Sequence, residues 1–204
     1  VHRVITFTCK NFVEIPKPGK LDELDENALK KINETSEEVG KYISECSFKQ
    51  GLRAAMNLAQ FGNFYFDKKQ PWNLIKNDKE SCGTALHNCL KIINSLAVFM
   101  APYLPYSSDK IWNLLGHEKS VHDVSWQSAK DELKVGTPLE KPEPLFKKLD
   151  QKDFLEEIDP FSKLDLRVAK VIDVKDHPNA DTLYLLLLDV GKLGKRIIVA
   201  GMKP

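Results

Sequence analysis

The chain has few cysteines, no long apolar run and almost no net charge. Cys9, Cys46, Cys82 and Cys89 form no Cys-x-x-Cys pair, which argues against the common zinc and dithiol redox motifs. Cys82 and Cys89 stand seven residues apart in a helical pattern, so two free thiols on one buried face are expected. That usage fits a reducing, cytoplasmic setting. His117 and His122 have no cysteine beside them, and no metal is assigned. No stretch approaches the roughly 20 apolar residues that span a bilayer, and no signal peptide is visible, so no membrane partner is expected. A formal charge of +1 removes any global basic signal for nucleic acid, and DNA is not expected. There is no glycine-rich phosphate loop and no catalytic cluster, so no catalytic residue and no cofactor is assigned. The first residue is not Met and helix-compatible sequence begins at once; the chain is read as a fragment whose start lies upstream.

What is present is patterned charge and helical periodicity. Hydrophobic content is 42%, ordinary for a globular chain. Leu21 to Glu45 holds eight acids against three bases, and Lys49 to Lys91 holds seven bases against three acids. Local charge, not the total, decides where a phosphate backbone can lie.

Taken in order, residues 1–13 read as a helix with Val4, Phe7 and Thr8 on one side, ended by Ile15-Pro16-Lys17-Pro18-Gly19. From Leu21 to Cys46, Leu24, Ala28, Ile32, Thr35, Val39, Tyr42 or Ile43, and Cys46 recur at steps of three and four, an amphipathic stripe facing a core. Ser47 to Gln50 matches a capping box. The helix after it carries small residues, Ala55, Ala59 and Gly62, that allow a neighbour close approach, and Met56 reads as core filler. A further helix from about Lys79 to Met100 shows a stripe of Leu86, Cys89 or Leu90, Ile93, Leu96, Ala97 and Met100. Ala101-Pro102 ends it. A short helix carrying Trp112 as a core residue then stops at Gly116, a natural C′ residue. From Glu118 periodicity fades and prolines accumulate, as in a linker.

The stretch from Leu58 to Trp72 is the most informative. A helical pattern ends in aromatics, a basic segment and Pro71-Trp72. Pro71 has no amide hydrogen and restricts Gln70, so the helix should break there. Trp72 then falls outside that helix, close to Lys68, Lys69 and Lys76. An indole among cations is what a stacking platform for an unpaired base requires. A core anchor for the next helix is the other reading, and these residues alone leave both open.

Asn63-x-Tyr65-x-Asp67-x-x-x-Pro71-Trp72 resembles the anticodon-binding helical domain of methionyl-tRNA synthetases. The resemblance implies that Trp72 stacks on an anticodon base, and that Pro71, Asn63 and Asp67 form and police its pocket. Arg3 matches the arginine of that family's Asn-x-x-x-Arg pair, whose asparagine would fall before Val1. Lys68, Lys69 and Lys76 are the candidate phosphate contacts. Pro102-x-x-Pro105 followed by Ile111-Trp112 resembles a packing segment of class I synthetases. Gly136 to Phe146 resembles the methionyl enzymes' tail, which packs back on the enzyme body.

From Ile158 the character changes to β. Asp165 to Val171, His177-Pro178-Asn179-Ala180-Asp181 and Val199-Ala200-Gly201 resemble the OB-fold tRNA-binding domain appended to many of these synthetases, with Thr182 where a lysine is usual. Arg167, Lys170 and Arg196 are its candidate tRNA contacts. An OB fold needs five strands, and the residues after Asp165 leave room for about three.

The expected architecture is therefore mainly α: a helical anticodon-binding domain (1–127), a linker (128–157) and a truncated OB-fold domain (158–204). The resemblance implies recognition of the CAU anticodon of tRNA-Met by the C-terminal part of a methionine–tRNA ligase. ATP and Mg belong to a catalytic domain absent from this chain, so no activity is expected of it alone. A stand-alone tRNA-binding accessory protein or a scaffold of a multi-synthetase assembly is the alternative. The OB-fold part is the candidate site for a homodimer or synthetase-complex partner.

Overall fold

The computed structural model describes residues 1–146 and 164–202. The chain divides into two compact units, Val1–Lys147 and Lys148–Pro204.

The first unit is helical: α1 (His2–Asn11), α2 (Glu23–Ser44), α3 (Phe48–Lys69), α4 (Pro71–Asn77), α5 (Lys79–Met100) and α6 (Pro105–Leu114), followed by 3-10 turns at Val121–Asp123 and Trp126–Lys130. The capping box lies at α2, not at α3. Asp22 accepts from the Asp25 amide at 3.0 Å while Asp25 accepts from the Asp22 amide at 3.0 Å, so two orphan donors are satisfied reciprocally. Ser47 is the N-cap of α3, but its side chain makes no capping bond; its carbonyl receives the Gln50 and Gly51 amides instead.

The stripe expected on α2 is largely in place, with Ala28, Ile32, Thr35 and Val39 buried. Cys46 falls beyond the helix end, in a positive-φ turn and exposed. On α3 the inward face is Gly51, Ala54, Ala55, Leu58, Tyr65 and Phe66. Met56 points outward at 45% exposure, so it is not core filler. Gly51 permits the closest approach, since a Cβ there would sit 2.5 Å from the Tyr103 hydroxyl.

Helix α5 departs most from its expected stripe. Every residue from Cys82 to Phe99 is buried, because α5 is surrounded by α1, α2, α3, α4, α6 and the second 3-10 turn. Polar side chains on it are buried with partners: Asn94 donates to the Ser128 carbonyl at 3.1 Å and Ser95 to the Ala129 carbonyl at 2.6 Å. A helix buried on all sides need not be apolar on all sides if each polar group is bonded. Trp112 is core, at 3% exposure, and Gly116 takes φ +82° just past the C-cap of α6.

Residues 128–146, expected as linker, belong to the helical unit. Ala129, Leu133 and Leu139 are buried in its core. Trp126 packs 5.2 Å from Phe99 and donates to the Ser36 carbonyl at 3.1 Å. The strap then returns to the start of the chain: Ile15 donates to Thr137, Gly136 to Ile15 and Leu139 to Val13, at 2.9, 2.9 and 3.0 Å. Periodicity misses such a segment because isolated anchors, not a helical or alternating face, hold it down. The remaining linker positions, 147–157, lie outside the described residues.

The second unit contains β1 (Lys170–Asp176), β2 (Tyr184–Asp189) and β3 (Lys195–Ala200), an antiparallel meander with β2 in the middle. Lys170 pairs with Asp189 and Asp176 with Tyr184; Tyr184 pairs with Ala200 and Asp189 with Lys195. A register irregularity lies between Val171 and Asp173. Leu186 is the buried centre, while Ile197 and Val199 are 70% and 53% exposed. No helix among the described residues is long and apolar enough to cross a membrane.

Candidate nucleic-acid interface

The joint between α3 and α4 builds the site. Helix α3 ends at Gln70, whose φ of 47° and ψ of 58° are left-handed. Its amide still closes onto Phe66 at 3.1 Å, and its carbonyl receives the Asn73 and Leu74 amides at 2.8 and 3.1 Å. Gln70 thus ends one helix and starts the next. Pro71 follows as the first residue of α4, where its missing N–H costs nothing. It is buried, and its carbonyl lies 3.4 Å from the Cys82 thiol.

Trp72 therefore sits in the first turn of α4 rather than in an open loop. Its ring is half-buried, not mostly solvent-facing, and lies 5.7 Å from Phe66 at 55°. Arg3 reaches over from α1, with its guanidinium 4.5 Å from the Phe66 ring and 5.3 Å from the Trp72 ring. The same guanidinium donates to Asp67 at 2.8 Å. Both partners of this pair stay more than half exposed, so donors and acceptors remain open to a ligand. Four side chains from α1, α3 and α4 thus converge: Arg3, Phe66, Asp67 and Trp72. Phe66 is the member that the motif did not single out; its inward phase on α3 was the available signal. Asn63 is exposed one helical turn before Asp67, at a cavity of about 120 Å³ that Val4, Ala59 and Ile92 also line.

The three lysines separate. Lys68 is exposed, with its ammonium 5.7 Å from the half-exposed Phe64 ring. Lys76 is exposed in the last turn of α4. Lys69 is not free for a phosphate. Only 12% of its side chain is exposed, and its ammonium lies 2.7 Å from both Asp22 and Asp25. Asp25 is itself 1% exposed and accepts from the Tyr65 hydroxyl at 2.5 Å and from Asn88 at 3.2 Å. Lysine at a helix end reads as a solvated cation by default; its counter-charges come from 44 and 47 residues away, beyond any sequence window. The bond from Lys69 holds Asp22 below the usual carboxylate range, with a smaller opposing effect of burial. Burial, then the bond to Asp25, pushes the Tyr65 phenol up.

All four cysteines are free thiols, with Cys82 and Cys89 buried. Burial pushes Cys82 up to about 11 and raises Cys89 further, so neither is a nucleophile. His117 stacks on Trp112 at 3.7 Å and bonds Asn94 at 2.7 Å, a packing role. Among the described residues no group of His, Cys, Asp and Glu could hold a metal ion.

In the second unit, Arg167 and Arg196 line one cleft of about 430 Å³ with Leu188 and Ile198. Arg167 already forks onto Asp165 with two bonds of 2.7 Å. Lys170 is exposed at the start of β1, paired in register with Asp189.

A family model described as the anticodon binding domain of methionyl tRNA ligase matches residues 15–164. The chain belongs to the methionyl-tRNA ligase family. Asn63, Asp67, Pro71 and Trp72 lie within that span, whereas Arg3 precedes it. A second model, a putative tRNA binding domain, matches residues 166–204. The methionine–tRNA ligases of Pyrococcus furiosus and Methanopyrus kandleri are 36% and 33% identical, each across all of this chain. The chain covers 36% and 33% of those ligases, so it spans about a third of the curated relatives it matches. Among solved structures, the free-state methionyl-tRNA synthetase of Mycobacterium tuberculosis superposes with a TM-score of 0.68 at 25% identity. That match covers 72% of this chain and 30% of the synthetase. The same enzyme bound by methionyl-adenylate gives 0.67 over 71% of this chain and 29% of its own.

Proposed function

We propose that this chain recognises the CAU anticodon of tRNA-Met as part of a methionine–tRNA ligase. The observation that carries the reading is the convergence of Arg3, Asp67 and Trp72 at the α3–α4 joint. Trp72 offers one ring to a splayed base, Arg3 and Asn63 offer donors to base edges, and Asp67 offers an acceptor. A base that cannot supply a donor to Asp67 leaves that acceptor desolvated and unpaired, which is where discrimination is strongest. Lys68 and Lys76 hold phosphates without reading sequence.

For the catalytic part of such a ligase the proposal includes ATP and Mg; the M. tuberculosis synthetase has been solved bound by methionyl-adenylate. The second unit, with an OB-fold-like role for Arg167, Lys170 and Arg196, adds affinity for all tRNAs alike. Cytoplasmic residence accords with four free thiols.

The test is equilibrium binding of anticodon stem-loops. The helical unit binds a CAU loop more tightly than an unrelated anticodon; equal affinities overturn the reading. A second reading, partner docking through the β unit, is favoured by exposed Val171, Val174, Ile197 and Val199. It requires that deleting the second unit change the assembly mass and leave tRNA affinity unchanged.

A further inference from the structure

The buried group beneath the α3–α4 joint ties three helices to one carboxylate. Asp25 opens α2 and is 1% exposed. It receives Tyr65 from α3 at 2.5 Å, Asn88 from α5 at 3.2 Å and the Lys69 ammonium at 2.7 Å. Asn88 also donates to the Tyr65 hydroxyl at 3.2 Å, closing the ring of bonds. Lys69 additionally holds Asp22, the cap of α2, at 2.7 Å.

The position of this group in the chain gives it a consequence. Tyr65 and Lys69 are one turn apart on the last two turns of α3, and so are Asn63 and Asp67. The first pair faces the core and the second faces solvent. Lys69 directly precedes Gln70, whose left-handed backbone is strained for a residue with a side chain. Such strain persists only where the surroundings over-determine it. On one side the surroundings are Lys69 locked onto Asp22 and Asp25. On the other they are buried Pro71 and its contact with Cys82.

We propose that Lys69, through Asp25 and Tyr65, is a positioning residue for base discrimination: it fixes the Gln70 joint and so sets Trp72 against Asp67. It is not a phosphate contact. This rests on the anticodon-reading function proposed above. Lys69 stays on Asp22 and Asp25 with or without RNA, and its charge releases no counterion when RNA arrives.

The two roles give opposite signatures in binding. A phosphate contact, when removed, weakens every loop sequence alike and flattens log K against log salt by about 0.7. A positioning residue, when removed, weakens the cognate loop selectively and leaves the salt slope alone. The experiment measures CAU and unrelated stem-loop affinities against salt for the full chain and its Lys69→Met, Lys69→Arg and Tyr65→Phe variants. Melting of each variant gives the folded fraction, to which affinities are normalised. The expected result for Lys69→Met is a ratio of CAU to unrelated affinity about fivefold to tenfold lower, the effect of losing one well-placed contact. The salt slope stays unchanged, and Lys69→Arg recovers most of the ratio. Should Lys69→Met fail to fold, Tyr65→Phe decides, because it removes one hydroxyl from the ring of bonds and leaves Lys69 in place; its ratio falls too. A uniform loss with a flattened slope, or an unchanged ratio in the folded variants, overturns the proposal. If the parent chain shows no CAU preference, the anticodon reading itself falls; if the parent prefers CAU and the variants keep that preference, only the positioning role falls.

Discussion

Truncating Trp72 to alanine separates packing from recognition in one protein. Removing a fully buried large aromatic costs about 3–5 kcal/mol. Trp72 is more than half buried, so the area lost corresponds to about 2–4 kcal/mol on the same scale. Within that lies the pair with Phe66 at 5.7 Å, of a kind worth about 0.5–1.5 kcal/mol. The Arg3 guanidinium at 5.3 Å is an exposed cation–π contact, worth about 0.5–1 kcal/mol. The expected stability loss is therefore about 2–5 kcal/mol. Stacking on a base is worth about 1–3 kcal/mol, or roughly 5- to 150-fold in affinity for the CAU stem-loop. Trp72→Phe retains part of both. Chemical denaturation and stem-loop titration on the same preparation read the two losses independently. The geometry adds a constraint: Arg3 already lies over the indole, so a base stacking on that face displaces Arg3. A stability loss with unchanged affinity of the folded molecules would refute the stacking role and leave Trp72 as a core anchor.

Other outcomes follow from the same description. Tyr65→Phe removes the hydroxyl from Asp25 and Asn88 and costs about 1–3 kcal/mol of stability by denaturation, the penalty for leaving buried polar groups short of a partner. Cutting the chain after Gln127 instead of Phe146 removes buried Leu133 and Leu139; at about 1.5–3 kcal/mol per side chain, the shorter fragment melts well below the longer one. His87 and His117 have pKa values lowered chiefly by burial. The unfolded chain therefore takes up their protons first, and stability present above about pH 6.5 is lost as pH falls through that ordinary histidine value. His87→Gln should flatten the dependence of melting temperature on pH between 7.5 and 5, with Lys91 and Glu132 left facing the site. Removing residues 164–204 should lower affinity for every tRNA alike and leave the preference for CAU intact, as measured by competition with total tRNA.

The sequence carried the parts of this fold that rest on local chemistry. The stripe of α2, the break at Pro71, the stop at Gly116 and the three-strand meander all follow from periodicity or from the backbone limits of proline and glycine. What escaped was set by distant partners. Asp25 reads as a surface acid in an acidic helix, and only Tyr65, Lys69 and Asn88, brought in by α3 and α5, make it a buried hub. Lys69 reads as one of three equivalent cations until its two counter-charges are seen. The polar residues Asn88, Asn94 and Ser95 made α5 look one-sided, whereas its partners surround it. The strap through Leu133 and Leu139 has no period at all. At the candidate interface the motif residues were legible, but the neighbour packed against both Arg3 and Trp72, Phe66, was hidden in the apolar face of α3.

The burial of α5 on every side also sets a hierarchy of opening. A helix with no solvent-facing side has no route to expose its amides short of pulling away its neighbours, so its amide hydrogens exchange with deuterium only when the whole helical unit opens. Helix α4 is seven residues long, with Pro71 buried and Trp72, Leu74 and Ile75 only partly so, which makes it the more weakly held of the two. Deuterium uptake should then fill α4 early and α5 last. Binding of a CAU loop would slow uptake in α4 more than in α5, giving a label-based report of the site that needs no measurement of affinity.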